Sequence, residues 1–150
     1  MTGFQLAHRY IGEVLERPDE AHHPLIQWWH SRCGLGFDTP DEVPWCSSFV
    51  NGIAWELRLP RSKSAAARSW LAIGAAVEIE DARPGWDVVI LKRGTGSQPG
   101  PDVTRGAAGH VGWFAGVEQD VVLVLGGNHG NAVSIARFQT AQILGIRRLQ

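Results

Sequence analysis

The hydrophobic period changes midway along this chain, and that change sets what it can fold into. Phe4, Ala7, Ile11, Val14 and Leu15 fall at i, i+3, i+7, i+10 and i+11, one face of a helix. Arg17-Pro18-Asp19 should stop it, because the residue before proline is pushed out of the α region. A second helix is expected from Pro24 through Ile26, Trp29 and Cys33 to Gly34. After a Gly-, Asp- and Pro-rich loop, Cys46, Phe49, Val50, Ile53, Ala54 and Leu57 keep helical spacing until Pro60, and a short helix is expected over Ala65–Ile73. From Trp86 the pattern is that of strands: Trp86–Lys92, His110–Val117, Val121–Gly126, Ala132–Phe138 and Ile143–Leu149, with a loop over Arg93–Gly106. Helices first and an antiparallel meander of about five strands second predict an α+β fold.

At 150 residues the chain is expected to form a single domain, 1–150, with a core that needs no staples. Charged residues are 19% and hydrophobic ones 44%, which excludes a disordered tail. A net charge of −1 gives no reason to expect nucleic acid or an anionic membrane as partner, and no apolar run reaches the roughly 20 residues of a membrane span. No basic region followed by an apolar stretch opens the chain, so no signal peptide is expected. Gly94-Thr-Gly-Ser-Gln-Pro-Gly lacks the Gly-Lys-Ser/Thr ending of a phosphate loop.

Cys33 and Cys46 are too few for a disulfide framework, but their settings differ. With Pro44 as first helical residue, Cys46 lies in the first turn, where free N–H groups and the helix dipole should lower its thiol pKa and make it a nucleophile. Cys33, near a helix end, reads as structural. His110, between Gly109 and Gly112 at a strand start, is the candidate base. A three-residue loop, Glu118–Asp120, would put Phe114 opposite Val124 and His110 opposite Asn128, and would gather Val111, Trp113, Ala115, Val117, Leu123 and Leu125 on one face. Asn128 is then the orienting group. A two-residue loop would exchange faces and bring His129 there instead.

Five segments carry a resemblance: Asp41-Glu-Val-Pro-Trp-Cys-Ser-Ser-Phe-Val-Asn51, Ser64-Ala-Ala-Ala-Arg-Ser-Trp-Leu71, Pro84-Gly-Trp-Asp-Val-Val89, Gly109-His-Val-Gly112 and Leu125-Gly-Gly-Asn128. In this order they resemble the CHAP (cysteine, histidine-dependent amidohydrolase/peptidase) and NlpC-type papain-like peptidoglycan hydrolases, above all the short phage- and prophage-type CHAP-like endolysins. The resemblance implies a papain-like fold, with the nucleophile helix packed on the C-terminal sheet. It also implies Cys46 as nucleophile, His110 as base and then acid, and Asn128 as orienting residue. Trp86 intrudes in the Pro-Gly-Asp pattern, and His129 stands where the family often has Gln or Ser.

The expected activity is thiol-catalysed cleavage of an amide or peptide bond in bacterial peptidoglycan, as a muramoyl-alanine amidase or stem-peptide endopeptidase. The enzyme would be a monomer made in the cytoplasm, would act on the wall after holin-type or other release, and would carry no separate wall-binding domain. Trp45 and Trp70 are candidates for the substrate groove, as is His129, and Arg68 for a substrate carboxylate, with an ion pair to Asp41 or Glu42 as the alternative. A papain-like effector toxin, another acyl-transfer enzyme and a non-catalytic wall-binding protein are the other readings. Asp38, Asp41 and Glu42 lack calcium-loop spacing, and His22, His23, His30 and Cys33 lack zinc spacing, so no metal or other cofactor is expected.

Overall fold

Thr2 starts the first helix, α1 (Gly3–His8), through a capping box with Gln5. The computed structural model describes residues 1–17, 22–94 and 96–150. The helix is shorter than its spacing predicts. Gly12 takes a left-handed φ of 78°, and Val14 and Leu15 beyond it are extended: Val133 donates to the Val14 carbonyl, and Leu15 bridges to Ala132. Extended pairing buries Val14 and leaves Leu15 exposed, so the apparent helical face is a coincidence of spacing. The stop expected at Pro18-Asp19 lies outside the described residues.

Helix α2 (Pro24–Ser31) begins at its proline, with the His23 ring accepting from the Leu25 N–H. Helix α3 (Cys46–Glu56) starts two residues later than expected, with Trp45 as N-cap and Cys46 as its first residue. A 3-10 turn over Ala67–Ala72 stands where a short helix was predicted.

Among the described residues six strands follow in one antiparallel sheet: β1 (Ala75–Ala76), β2 (Asp87–Leu91), β3 (His110–Glu118), β4 (Val121–His129), β5 (Ala132–Gln139) and β6 (Ile143–Arg148), in the order β1-β6-β2-β3-β4-β5. The two-residue β1 is too short to show alternation, so five strands were visible in the sequence. Helices α1 and α3 cover one face of the sheet. There Val88, Ile90, Val111, Trp113 and Leu125 join Phe49, Val50 and Ile53 of α3 in the main core. The other face holds a second apolar cluster, Val89, Leu91, Phe114, Val122, Val124 and Ile146. Among the described residues no helix is long and apolar enough to cross a membrane.

The β3–β4 hairpin departs from the expected loop in an instructive way. Its turn has two residues, Gln119 and Asp120, with Glu118 opposite Val121 and Val117 opposite Val122. Ala115 is an extra residue on β3, a bulge that restores the pairing of Phe114 with Val124. Val117, beyond that bulge, is exposed rather than part of the core face.

Candidate active site

The first turn of α3 has no side-chain cap and no acidic residue, so its N–H groups are not claimed by a capping side chain. Cys46 sits there, 4% exposed, where the N–H groups of Val111, Ser47 and Cys46 itself favour a thiolate. Val111 follows His110 on β3, so the thiol and the imidazole are carried on adjoining backbone. Among the described residues no side-chain hydrogen bond joins Cys46 to His110.

The rest of the motif holds the helix start in place. The Ser47 hydroxyl donates to the Ser64 carbonyl at 2.6 Å and accepts from Trp70 Nε1 at 2.9 Å. Asn51 receives the Lys63 N–H at 2.9 Å. Ser48 bonds His30 Nδ1 at 2.8 Å, and Cys33 donates to the same hydroxyl at 3.6 Å. Cys33 is therefore a buried structural partner of α3.

His110 is oriented by His129, not by Asn128. Their Nε2 atoms are hydrogen-bonded, their ring centroids lie 4.5 Å apart, and His129 Nδ1 bonds the Ser134 carbonyl at 3.0 Å. The expectation for Asn128 is corrected by a second irregularity. Between Gly126 and His129, β4 takes three steps while β5 takes two, from Ser134 to Ala132. The extra residue swaps faces, Asn128 takes a left-handed φ of 64°, and His129 occupies the position that alternation assigned to Asn128. The double glycine makes this possible. A methyl group on Gly126 would lie 2.9 Å from His129 Cε1 and 3.4 Å from His110 Nε2, and one on Gly127 would lie 2.6 Å from the Trp45 ring.

The partners fix the tautomers. A carbonyl can only accept, so His129 Nδ1 carries a proton, and its neutral ring then accepts at Nε2. The proton between the rings belongs to His110 Nε2, which leaves His110 Nδ1 bare as a base.

Electrostatics differ from the simple helix-dipole picture. Burial pushes the Cys46 thiol up, and the Val111 N–H and the Arg93 charge only partly oppose it. The lowered thiol pKa predicted from helix position is thus overturned by desolvation. Burial, then His129, then Arg93 push His110 down to about 3, and burial with Arg93 lowers His129. Resting thiol and imidazole are both neutral.

These neutral histidines carry a pH signature. The unfolded chain binds protons near pH 6.5 and the folded one does not, so stability is full above that pH and falls as pH drops from 6.5 towards 3. For His110 alone the loss at pH 5 is on the order of 2 kcal/mol. Chemical denaturation at pH 7.5 and 5 checks this, and His110→Phe should flatten the slope; a wild-type stability unchanged between the two would contradict it.

The residues expected to bind substrate stand elsewhere. Trp45 and Trp70 are fully buried: Trp45 stacks on Trp29 at 5.9 Å and donates to Glu16, and Trp70 is tied to Ser47. Neither lines a groove. Arg68 is also fully buried and touches no carboxylate among the described residues. It donates to the carbonyls of Pro99, Gly100, Val103 and Ala108 at 2.8–3.1 Å, clamping the loop that leads into His110. Hydrogen bonds to a charged donor are worth about 1.5–3 kcal/mol each, but these carbonyls can turn to water, so Arg68→Met should cost about 2–3 kcal/mol in all. Limited proteolysis should find new cleavage within 99–108, and Arg68→Lys should not restore protection because an ammonium cannot span the fork. An unchanged cleavage pattern in Arg68→Met would refute the clamp.

His129 does line the site, in a cavity of about 310 Å3 that it shares with Lys92, Arg93, His110, Arg137 and Phe138. Cys46 opens instead on a second cavity of about 330 Å3, with Pro44, Ala66 and Ala108, and Arg93 borders both. Nothing in the sequence reading singled out Arg93; its one signal was a basic pair closing a buried strand.

Among the described residues, the metal-capable group is His22, Asp41 and Glu42, without Asp38. Burial would raise the Asp41 carboxyl, but the N–H groups of Arg17 and His23 at 2.8 Å, with His22 at 3.1 Å, hold it at about 2. Its oxygens are thus already engaged in tying the α2 entry to the loop before α3. No protein-family model matches the chain, and no curated protein matches it.

Proposed function

We propose that this chain is a papain-like thiol amidohydrolase that cleaves an amide bond in the peptide part of bacterial peptidoglycan. The observation that carries the reading is the relay from the Ser134 carbonyl through His129 to a bare His110 Nδ1, one residue before Val111, whose N–H is among the groups that favour the Cys46 thiolate at an uncapped helix start. The ordered motifs that resemble CHAP and NlpC-type hydrolases supply the substrate class.

In this mechanism the Cys46 thiol gives its proton to His110 Nδ1 as sulfur attacks the carbonyl carbon. Transfer at the moment of attack suits a buried thiol whose pKa is raised. The oxyanion accepts from backbone N–H groups at the helix start. The imidazolium is stabilised by His129, which Ser134 holds in the accepting tautomer. His110 then protonates the leaving amine, the thioester forms, and His110 activates water to release the acid. The enzyme would act at the wall after release from the cytoplasm, as in phage lysis.

Digestion of purified cell walls, read by mass spectrometry of the soluble products, tests the reading. New amino and carboxyl ends at one bond are expected. Walls left intact, or cut only at glycosidic bonds, would overturn it.

A further inference from the structure

The cavity on the His110 side is basic. Lys92, Arg93 and Arg137 line it together with the two histidines, and among the described residues no aspartate or glutamate does. Arg137 pairs with Glu118 at 3.2 Å, whereas Arg93 has no acidic partner among the described residues.

Arg93 is presented, not merely exposed. Gln98 grips its backbone on both sides, accepting from the Arg93 N–H and donating to the Arg93 carbonyl, and the Lys92 N–H donates to Gln142 at 2.8 Å. From there its charge is felt at Cys46, His110 and His129, so it stands between the two cavities that flank the reacting groups. The cavity's volume suits one amino-acid-sized group, and Phe138, stacked on His110 at 5.3 Å, gives it an apolar wall.

We infer that this cavity binds a carboxylate of the substrate on the leaving-amine side, and that Arg93 recognises it. The inference rests on the function proposed above and narrows it. With acyl carbon at Cys46 and the departing nitrogen at His110, a group seated beyond His110 belongs to the amine half of the substrate. The planar guanidinium suits a carboxylate through two parallel hydrogen bonds. The enzyme therefore discriminates between stem peptides with free carboxylates and those in which they are amidated. A bound carboxylate also offsets the charge that, with burial and His129, keeps His110 from protonating, so the substrate itself raises the basicity of the base.

The test uses the Cys46→Ala protein, which binds without turnover, and two synthetic stem peptides that differ only in carboxylate against carboxamide. Calorimetry should give tighter binding of the carboxylate form by about tenfold or more, the scale of a charge-assisted pair. Arg93→Gln in the same background should erase that preference, so that the two peptides bind alike. Equal binding of the two peptides, a preference that survives Arg93→Gln, or inorganic phosphate that displaces the carboxylate peptide at comparable concentration would each overturn the inference. Cleavage with no carboxylate preference would sink this inference alone, whereas carboxylate-dependent binding without any wall cleavage would sink the proposed function alone.

Discussion

Cys46→Ala is expected to abolish wall hydrolysis, by about 10⁴-fold or more, while the protein keeps its fold. Alanine removes the sulfur that attacks and leaves everything else. Cys46 begins α3 at the edge of the core, the small cavity created is bordered by an existing opening, and among the described residues no other side chain is hydrogen-bonded to the thiol. Cys33→Ser is the control. That residue is bonded to Ser48 and opens on neither cavity of the site, and serine can keep the hydroxyl contact, so most activity should remain. Turbidity loss of purified walls, with circular dichroism of each variant, reads both effects. Comparable activity in Cys46→Ala would remove the nucleophile from the account.

His129→Ala should be the next most damaging change, cutting turnover by about 10²- to 10³-fold, within the range positioned acid–base groups contribute. It frees His110 to rotate, removes the acceptor that fixes its tautomer and leaves the imidazolium unsupported. His129→Gln should recover part of the loss, because an amide oxygen can accept from His110 Nε2. Asn128→Ala should be mild in its effect on the chemistry, since the Asn128 side chain makes no hydrogen bond to His110. Asn128 does hold a left-handed backbone, so Asn128→Gly is the cleaner variant: it removes the side chain and keeps the conformation. A severe defect in Asn128→Gly beside a mild one in His129→Ala would mean that the third group was assigned to the wrong residue.

Much of this is legible in the sequence, and the departures from it share causes. Helical spacing located α3 and put Cys46 in its first turn, and glycines around His110 marked a strand start open to a neighbour. Alternation could not locate His129, because it assumes that strands do not bulge. The turn was one residue shorter than expected, Ala115 cancelled that error, and the extra residue between Gly126 and His129 introduced a new one. Two of these irregularities compensate, so a correct pairing of Phe114 with Val124 coexists with an incorrect turn. Arg68 departs from its expected substrate role for another reason. Sequence shows that a guanidinium is present but not that four backbone carbonyls converge on it, and a buried arginine satisfied by carbonyls leaves no charge pattern to find. Trp45 and Trp70 follow the ordinary fate of tryptophan in a small core. The depressed thiol pKa fails on magnitude: a helix start favours an anion, but burial outweighs it.

The central claim is that an acyl group passes through Cys46, and trapping that group tests it most directly. Digestion of purified walls in the presence of hydroxylamine offers a thioester a second acceptor besides water. The account predicts acyl hydroxamate on the carbonyl side of the cut bond with the wild-type protein, and none with Cys46→Ala. Free acid alone from the wild type, or hydroxamate formed equally well by Cys46→Ala, would contradict it.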